Sequence, residues 1–138
     1  MSFRTILRTQ VRAALAASDR LGIVEFYDAF PRNHDAEKLP YCIVRTPRER
    51  TNRDHDFGVN RATEVVVSYR RVGGNDLEDE LDLDADEVVE VVLPVLRGVG
   101  LLYGLDLTEI DVVAAGETRR GELDMTFTVE RLLDEDEV

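Results

Sequence analysis

The fold is decided by residues 61–93, "RATEVVVSYRRVGGNDLEDELDLDADEVVEVVL", where a strand pattern changes into a helix pattern. In the first part, alternation places four side chains on one face: Thr63, Val65, Val67 and Tyr69. Such alternation, rich in β-branched residues, predicts a strand that buries one face. Gly73 and Gly74 interrupt the pattern, so the strand ends there and a new element begins.

The second part predicts an amphipathic helix whose start is marked by acids. Asn75 and Glu78 form a capping pattern, and the helix dipole favours negative charge in the first turn. Apolar residues then recur every three or four positions, at Leu77, Leu81, Ala85, Val88 and Val92. The acids off this stripe predict a solvated face: Asp79, Asp82, Asp86 and Glu90. Pro94 is expected to end or kink the helix.

The same acids raise a competing interpretation, a calcium site. Asp82, Asp84 and Asp86 alternate like the acids that open an EF-hand loop. Such a loop also needs glycine at its sixth position and glutamate at its twelfth. Counted from Asp82, those positions hold Glu87 and Leu93. The solvated helix face is therefore the better explanation of the acids.

Outside this stretch the sequence predicts one more helix and four more strands. The helix covers residues 2–18, with Ser2 available as N-cap. The strands are expected at residues 22–30, 39–46, 105–116 and 121–132. In the last strand, apolar side chains alternate cleanly with polar ones, at Leu123, Met125, Phe127 and Val129. The order of elements indicates an α+β fold: a largely antiparallel sheet, two main helices packed on one face, and a long hairpin loop between strands.

Length and composition predict a single soluble domain. The chain has 138 residues, of which 43% are hydrophobic and 33% charged, which suits one core. We expect residues 1–133 to form this domain and residues 134–138 to form an acidic C-terminal tail. The N-terminal segment alternates arginines with apolar residues, and no apolar run approaches membrane-spanning length, so we expect neither export nor a membrane partner.

The charge balance disfavours specific binding to nucleic acids. The formal net charge of −12 repels phosphate groups. Lys38 is the only lysine, so nearly all positive charge is arginine, which suits carboxylate contacts between protein surfaces. A GC-rich genome or a high-salt host would give the same bias. Cys42 is the only cysteine, which excludes an intrachain disulfide and a cysteine zinc cluster and favours an apolar role inside a strand.

No pattern indicates a catalytic or cofactor site. His34 and His55 fall in separate loops without the spacing of a metal site. The two glycines after the central strand lack the spacing and the lysine of a phosphate-binding loop. With 29 acids in the chain, carboxylate pairs can be drawn almost anywhere and carry little information. We therefore expect no enzymatic activity, no cofactor and no bound metal.

Positive charge gathers in one region, in and around the polar segment 47–60, which is expected to be a long loop or the tip of a long hairpin. Its members, here called the arginine arm, are Arg45, Arg48, Arg50, Arg53 and Arg61. Two interpretations stand: a solvated hairpin tip, or a docking arm for an acidic partner or another copy of the chain. The acidic helix face at Asp79, Asp82 and Asp86 complements the arm, which permits head-to-tail contacts and a ring.

The pattern as a whole resembles the tail terminator proteins of long-tailed phages, the minor tail protein U type. The likeness spans nearly the whole chain and is carried by the order of its elements. Its main features are "RATEVVVSYRR" running into the acid-capped helix and the closing segment "LTEIDVVAAGETRRGELDMTFTVERL". "FYDAFP" and "LPYCIV" also resemble tail completion proteins of the head–tail joint.

The resemblance implies a structural virion protein at the tail–neck junction, made in the host cytoplasm. Such a protein forms a homohexameric ring that caps the tail tube, stops its polymerisation and joins the tail to the head connector. Its implied partners are other copies of itself, the tail tube protein and the connector or completion protein, with DNA only passing through the channel. The competing interpretation is an acidic, monomeric interaction module, such as a DNA mimic or an inhibitor.

Overall fold

The computed structural model describes residues 2–31, 39–54, 58–115 and 118–133. Its elements, in chain order, are α1 (Phe3–Ala16), β1 (Glu25–Phe26), β2 (Tyr41–Arg45), β3 (Glu49–Asp54), β4 (Gly58–Gly73), α2 (Leu77–Arg97), β5 (Leu102–Ala115) and β6 (Thr118–Leu133). Neither helix is long and apolar enough to cross a membrane within these residues. The tail expected at residues 134–138 and both histidines lie outside the described residues.

The strands form one sheet in the order β1-β2-β4-β6-β5, and β3 pairs separately with β4. β2 pairs with the second half of β4 and β3 with its first half, so both lie along the side of β4 that β6 does not occupy. The β1–β2 pair is parallel and the other pairs are antiparallel. The predicted α+β fold with a largely antiparallel sheet is confirmed.

Both helices pack on one face of this sheet because each carries an apolar stripe. In α1, the hydroxyl of Ser2 accepts a hydrogen bond from the Thr5 amide, as predicted for the N-cap. The helix then buries Leu7, Val11 and Leu15. In β6, the alternating residues predicted to face inward are all fully buried: Leu123, Met125, Phe127 and Val129. The described residues thus share one core, which supports the proposal that residues 1–133 form a single domain.

The predicted start of α2 is off by one residue, and Pro94 does not end the helix. The N-cap is Asp76 and not Asn75, and its side chain makes no capping hydrogen bond, so the acids of the first turn act through the helix dipole. At the other end the helix continues through Pro94 to Arg97. Fully buried Leu96 anchors that last turn, and its carbonyl accepts the amide of Gly100. These contacts offset the backbone hydrogen bond that proline cannot make.

Two further expectations about strands are corrected. Residues 22–30 were expected to be one strand, but only Glu25–Phe26 pairs with a neighbouring strand. The residues that follow β1 lie against the sheet face opposite the helices. There the ring of Phe30 stacks on the guanidinium group of Arg70, 5.1 Å away. Of the two alternatives for the polar segment 47–60, the long loop is wrong and the hairpin is confirmed, because β3 and the start of β4 pair from Glu49↔Thr63 to Asp54↔Gly58. Residues 55–57, the tip of this hairpin, lie outside the described residues.

Candidate functional site

The arginine arm lies on paired strands and not on a loop. Arg45 ends β2, Arg48 precedes β3, and Arg50 and Arg53 lie within β3, while Arg61 lies across the hairpin in β4. Arg50 pairs with Ala62, on the sheet face opposite the helices, and the Arg48 carbonyl accepts the amide of Glu64 nearby. The hairpin therefore holds these side chains in a fixed register.

Within the arm, Arg61 and Arg45 have side-chain partners, and every member except Arg61 is exposed. Arg61 lies 3.8 Å from a carboxylate oxygen of Glu49, and Arg45 lies over the ring of Phe30 at 5.9 Å. The remaining three are exposed and form no ion pair with another described residue: Arg48, Arg50 and Arg53. Their charge is available to an external partner.

Two of the exposed arginines also line an open cleft. The cleft has a volume of about 370 Å³ and lies on the sheet face opposite the helices. Its charged lining consists of Arg48, Arg50, Glu64, Asp106 and Glu130. This mixture of signs, without a described ion pair across the cleft, suits contact with another protein surface better than capture of a small ion.

The acids predicted on the outer face of α2 are exposed: Asp79, Asp82 and Asp86. They share this face with Leu83, which is 50% exposed. The helix packs on the sheet face opposite the one that carries Arg50. Among the described residues, no ion pair joins these acids to Arg48, Arg50 or Arg53.

Sequence reasoning missed the role of Asp84, whose side chain is 0% exposed. Its carboxylate accepts a hydrogen bond of 2.9 Å from Nη1 of Arg71, and Nε of Arg20 lies 3.1 Å from its other oxygen. Arg20 also donates to Glu80, one turn earlier on α2. This cluster ties the turn after α1, strand β4 and α2 together. The sequence carried one sign that Asp84 is buried, because this residue directly precedes Ala85 of the apolar stripe.

A second charged cluster lies on the opposite face of the sheet around Arg70, which is only 5% exposed. Its guanidinium group contacts Glu122 and Asp124 of β6, each at 3.1 Å. Nearby, Arg120 donates a hydrogen bond of 2.7 Å to the hydroxyl of Tyr41. Buried charges of this kind are paired because an isolated one would be costly. The cluster therefore fixes strand register and leaves no free cation there.

Burial controls the titration of the groups in the core. Burial raises the pKa of the Cys42 thiol to about 12, although the charges of Arg70 and Arg12 oppose this. Burial, and then the negative charge of Asp84, raises the pKa of Tyr69. For Arg71, burial lowers the pKa, but its hydrogen bond to Asp84 and the surrounding charges outweigh this and raise it. These shifts describe an inert thiol and a stable ion pair, and neither group is poised for catalysis near neutral pH.

The outer edge of β5 is unusually apolar for a surface. Large side chains are exposed along its start, with Leu101 72%, Leu102 64% and Leu107 50% exposed. β5 pairs with β6 only, so its other edge has no partner strand among the described residues. Exposed apolar edge strands promote association, and soluble monomers usually protect them.

In the described part of the chain, no group of three or more histidine, cysteine, aspartate or glutamate side chains is placed to hold a metal ion. The features that stand out are therefore surfaces: the basic hairpin edge, the acidic helix face and the apolar edge of β5. Each is suited to protein–protein contact.

The comparisons with known proteins show a likeness among solved structures, and it concerns the fold. No protein-family model and no curated protein matches the sequence. Among solved structures, the chain is similar to a chain in the virion of the native gene transfer agent (GTA) particle, with a TM-score of 0.52. The two share 20% sequence identity, and the match covers 94% of this chain and 99% of the other. Nearly the whole length of each chain therefore has the same fold.

Proposed function

We propose that this chain is a structural protein of a phage-like virion and that it acts as a tail terminator. In this role, six copies form a ring at the tail–neck junction, cap the tail tube, stop its polymerisation and present a surface to the head connector. The observation that carries the proposal is the likeness in fold, over nearly the full length of both chains, to a component of the GTA virion.

The surfaces of the chain support an assembly role. Both charged surfaces are exposed, and no described ion pair joins them within one copy, which favours contact with other copies or other virion proteins. A net charge of −12 per copy also suits a ring around a DNA channel, because acidic walls repel phosphate and let the genome pass without binding. The cytoplasm of the host is the proposed place of synthesis, and the assembled virion the final location.

The arginine arm is the proposed assembly contact. Three of its exposed members, Arg48, Arg50 and Arg53, lie on or next to β3 and can meet an acidic surface of the next copy. Two acidic surfaces are available: the α2 face with Asp79, Asp82 and Asp86, and the outer edge of β5. The surface that does not meet the arm remains free for the tube protein or the connector.

The proposal is tested by adding the purified chain to tail tube protein of its own particle while the tubes grow. A terminator stops elongation when present at about one ring per tube end, so tube length measured by electron microscopy falls as the chain is added. Tubes that reach the same length at every concentration would refute the capping role. A chain that instead binds a basic protein as a monomer would support the acidic interaction module.

A further inference from the structure

The proposed ring can be given a specific contact. Building on the proposed function, we propose that the basic β3 edge of one copy adds to the acidic, apolar β5 edge of the next. The sheets of neighbouring copies would then be continuous around the ring. The partner of the β5 edge is therefore a second copy of this chain.

The β5 edge has both a free backbone and an apolar surface. Its 14 residues form the longest strand edge in the described sheet that pairs with no strand. Two of its leucines, Leu102 and Leu107, and the preceding Leu101 are at least half exposed. Strand addition would satisfy the free amides and carbonyls of this edge and bury the leucines.

The charge of the β5 edge points to a basic partner. β5 contains Asp106, Glu109 and Asp111 and no basic residue. Glu109 and Asp111 are exposed, and they pair across the strands with two more acids, Asp124 and Glu122. Arg70 contacts those acids of β6, and no ion pair joins Glu109 or Asp111 to another described residue.

The β3 edge supplies that cation at the other end of the same sheet. β3 pairs with β4 only, so it also has an edge without a partner in the described residues. Arg48, Arg50 and Arg53 are exposed along it. Because the basic and acidic edges are different surfaces of one chain, their contact is head-to-tail, and such a contact gives a ring when its rotation closes after a whole number of copies.

The α2 face is the weaker partner for the arm. It offers the charges of Asp79, Asp82 and Asp86, but the backbone of α2 is hydrogen-bonded within the helix and cannot accept a strand. The β5 edge offers negative charge, apolar area and free backbone groups together. We therefore assign the α2 face to solvent, the channel or another virion protein.

The test uses a swap of charges between two variants of the full-length chain. The basic-edge variant carries Arg48→Glu, Arg50→Glu and Arg53→Glu, and the acidic-edge variant carries Glu109→Arg and Asp111→Arg. Asp106 is left unchanged because it accepts a hydrogen bond from Thr128. Each variant alone has two edges of the same sign, so the concentration needed for half-assembly should rise at least about tenfold. Circular dichroism and thermal melting establish that each variant folds.

Mixing the two variants restores complementary edges at every contact, because each basic edge then meets an acidic edge of the other variant. The concentration at which the equimolar mixture is half-assembled should return to within about threefold of the wild-type value, and the assemblies should contain both variants in equal amounts. A single chain carrying all five substitutions should also assemble, which guards against a folding defect in either parent.

A third variant, Asp79→Arg with Asp82→Arg, is the matched control on α2. It should assemble alone as the wild type does and should not rescue the basic-edge variant. Rescue by the α2 variant, or normal assembly of the acidic-edge variant alone, would overturn the edge contact and leave the ring intact. Complementary assembly of the edge variants without tube capping would refute the terminator role and leave the edge contact standing. A wild-type chain that stays monomeric even on its tubes would refute both.

Discussion

Replacing Asp84 by Asn should destabilise the fold far more than the same replacement at Asp82, two residues away on the same helix. Asp84 is fully buried with Arg71 at 2.9 Å and Arg20 at 3.1 Å, whereas Asp82 is exposed. Removing one partner of a buried ion pair costs about 3–5 kcal/mol when the other charge has no alternative. Here both arginines are partly exposed and Glu80 lies near both, so Asp84→Asn is expected to lower the free energy of unfolding by about 2 kcal/mol.

The assay is chemical and thermal denaturation of the two variants beside the wild-type chain. For a domain of this size, a loss of about 2 kcal/mol corresponds to a fall in Tm of roughly 6–10 °C. Asp82→Asn should change the free energy of unfolding by no more than about 0.5 kcal/mol. Equal stability of the two variants would refute the view that Asp84 joins the helix to the sheet. Stabilisation of the wild-type chain by calcium would instead show that the acids of α2 form a metal site.

Three further predictions concern the core. Leu81→Ala should lower the free energy of unfolding by about 2–5 kcal/mol because Leu81 is fully buried. In the same denaturation assay, the exposed-site changes Asp79→Asn and Asp86→Asn should each alter it by no more than about 0.5 kcal/mol. Tyr69→Phe removes a buried hydrogen bond to the Leu21 carbonyl and should cost about 1–3 kcal/mol, and an unchanged denaturation midpoint would contradict it. Cys42 should resist iodoacetamide at pH 8 until the chain unfolds. Folding raises the pKa of the Cys42 thiol from 9.0 to about 12. The contribution of the neutral thiol to folding stability is therefore complete below pH 9 and is lost as pH rises toward 12. The Cys42→Ala variant should accordingly show a smaller fall in Tm than the wild-type chain as pH rises through this range.

Periodicity was enough to predict the elements whose stability depends on burying one face. The stripe of α2 and the alternation of β6 each predicted residues that the core encloses, such as Leu81 and Phe127. The end of α2 was not predictable in this way. Pro94 is a strong local stop signal, but the buried side chain of Leu96 outweighs it, and that burial depends on the whole fold.

The strand β3 of the arginine arm could not be predicted from periodicity, for a different reason. β3 is polar on both faces, with Arg50 and Asn52 on one and Thr51 and Arg53 on the other, so it lacks apolar alternation. It is a strand because β4 provides a long backbone partner, which a local pattern does not reveal.

The candidate assembly surfaces were predictable only in part. The exposed acids of α2 follow from the helical stripe, and the clustering of arginines follows from the sequence. The β5 edge could not be recognised from the sequence, because an edge strand and a central strand can have similar sequences. Only the order in which the strands pair shows that β5 lies at an edge. Asp84 and its partner Arg71 are likewise brought together by tertiary packing.

The most direct test of the account is cryo-electron microscopy of tail tubes from the particle that carries this chain, with the chain labelled. We predict one ring of six copies at a single end of each tube, with adjacent copies joined through β3 and β5. Copies distributed along the tube wall, a ring of other proteins at both tube ends, or tubes without the chain would contradict the proposal that it terminates the tail.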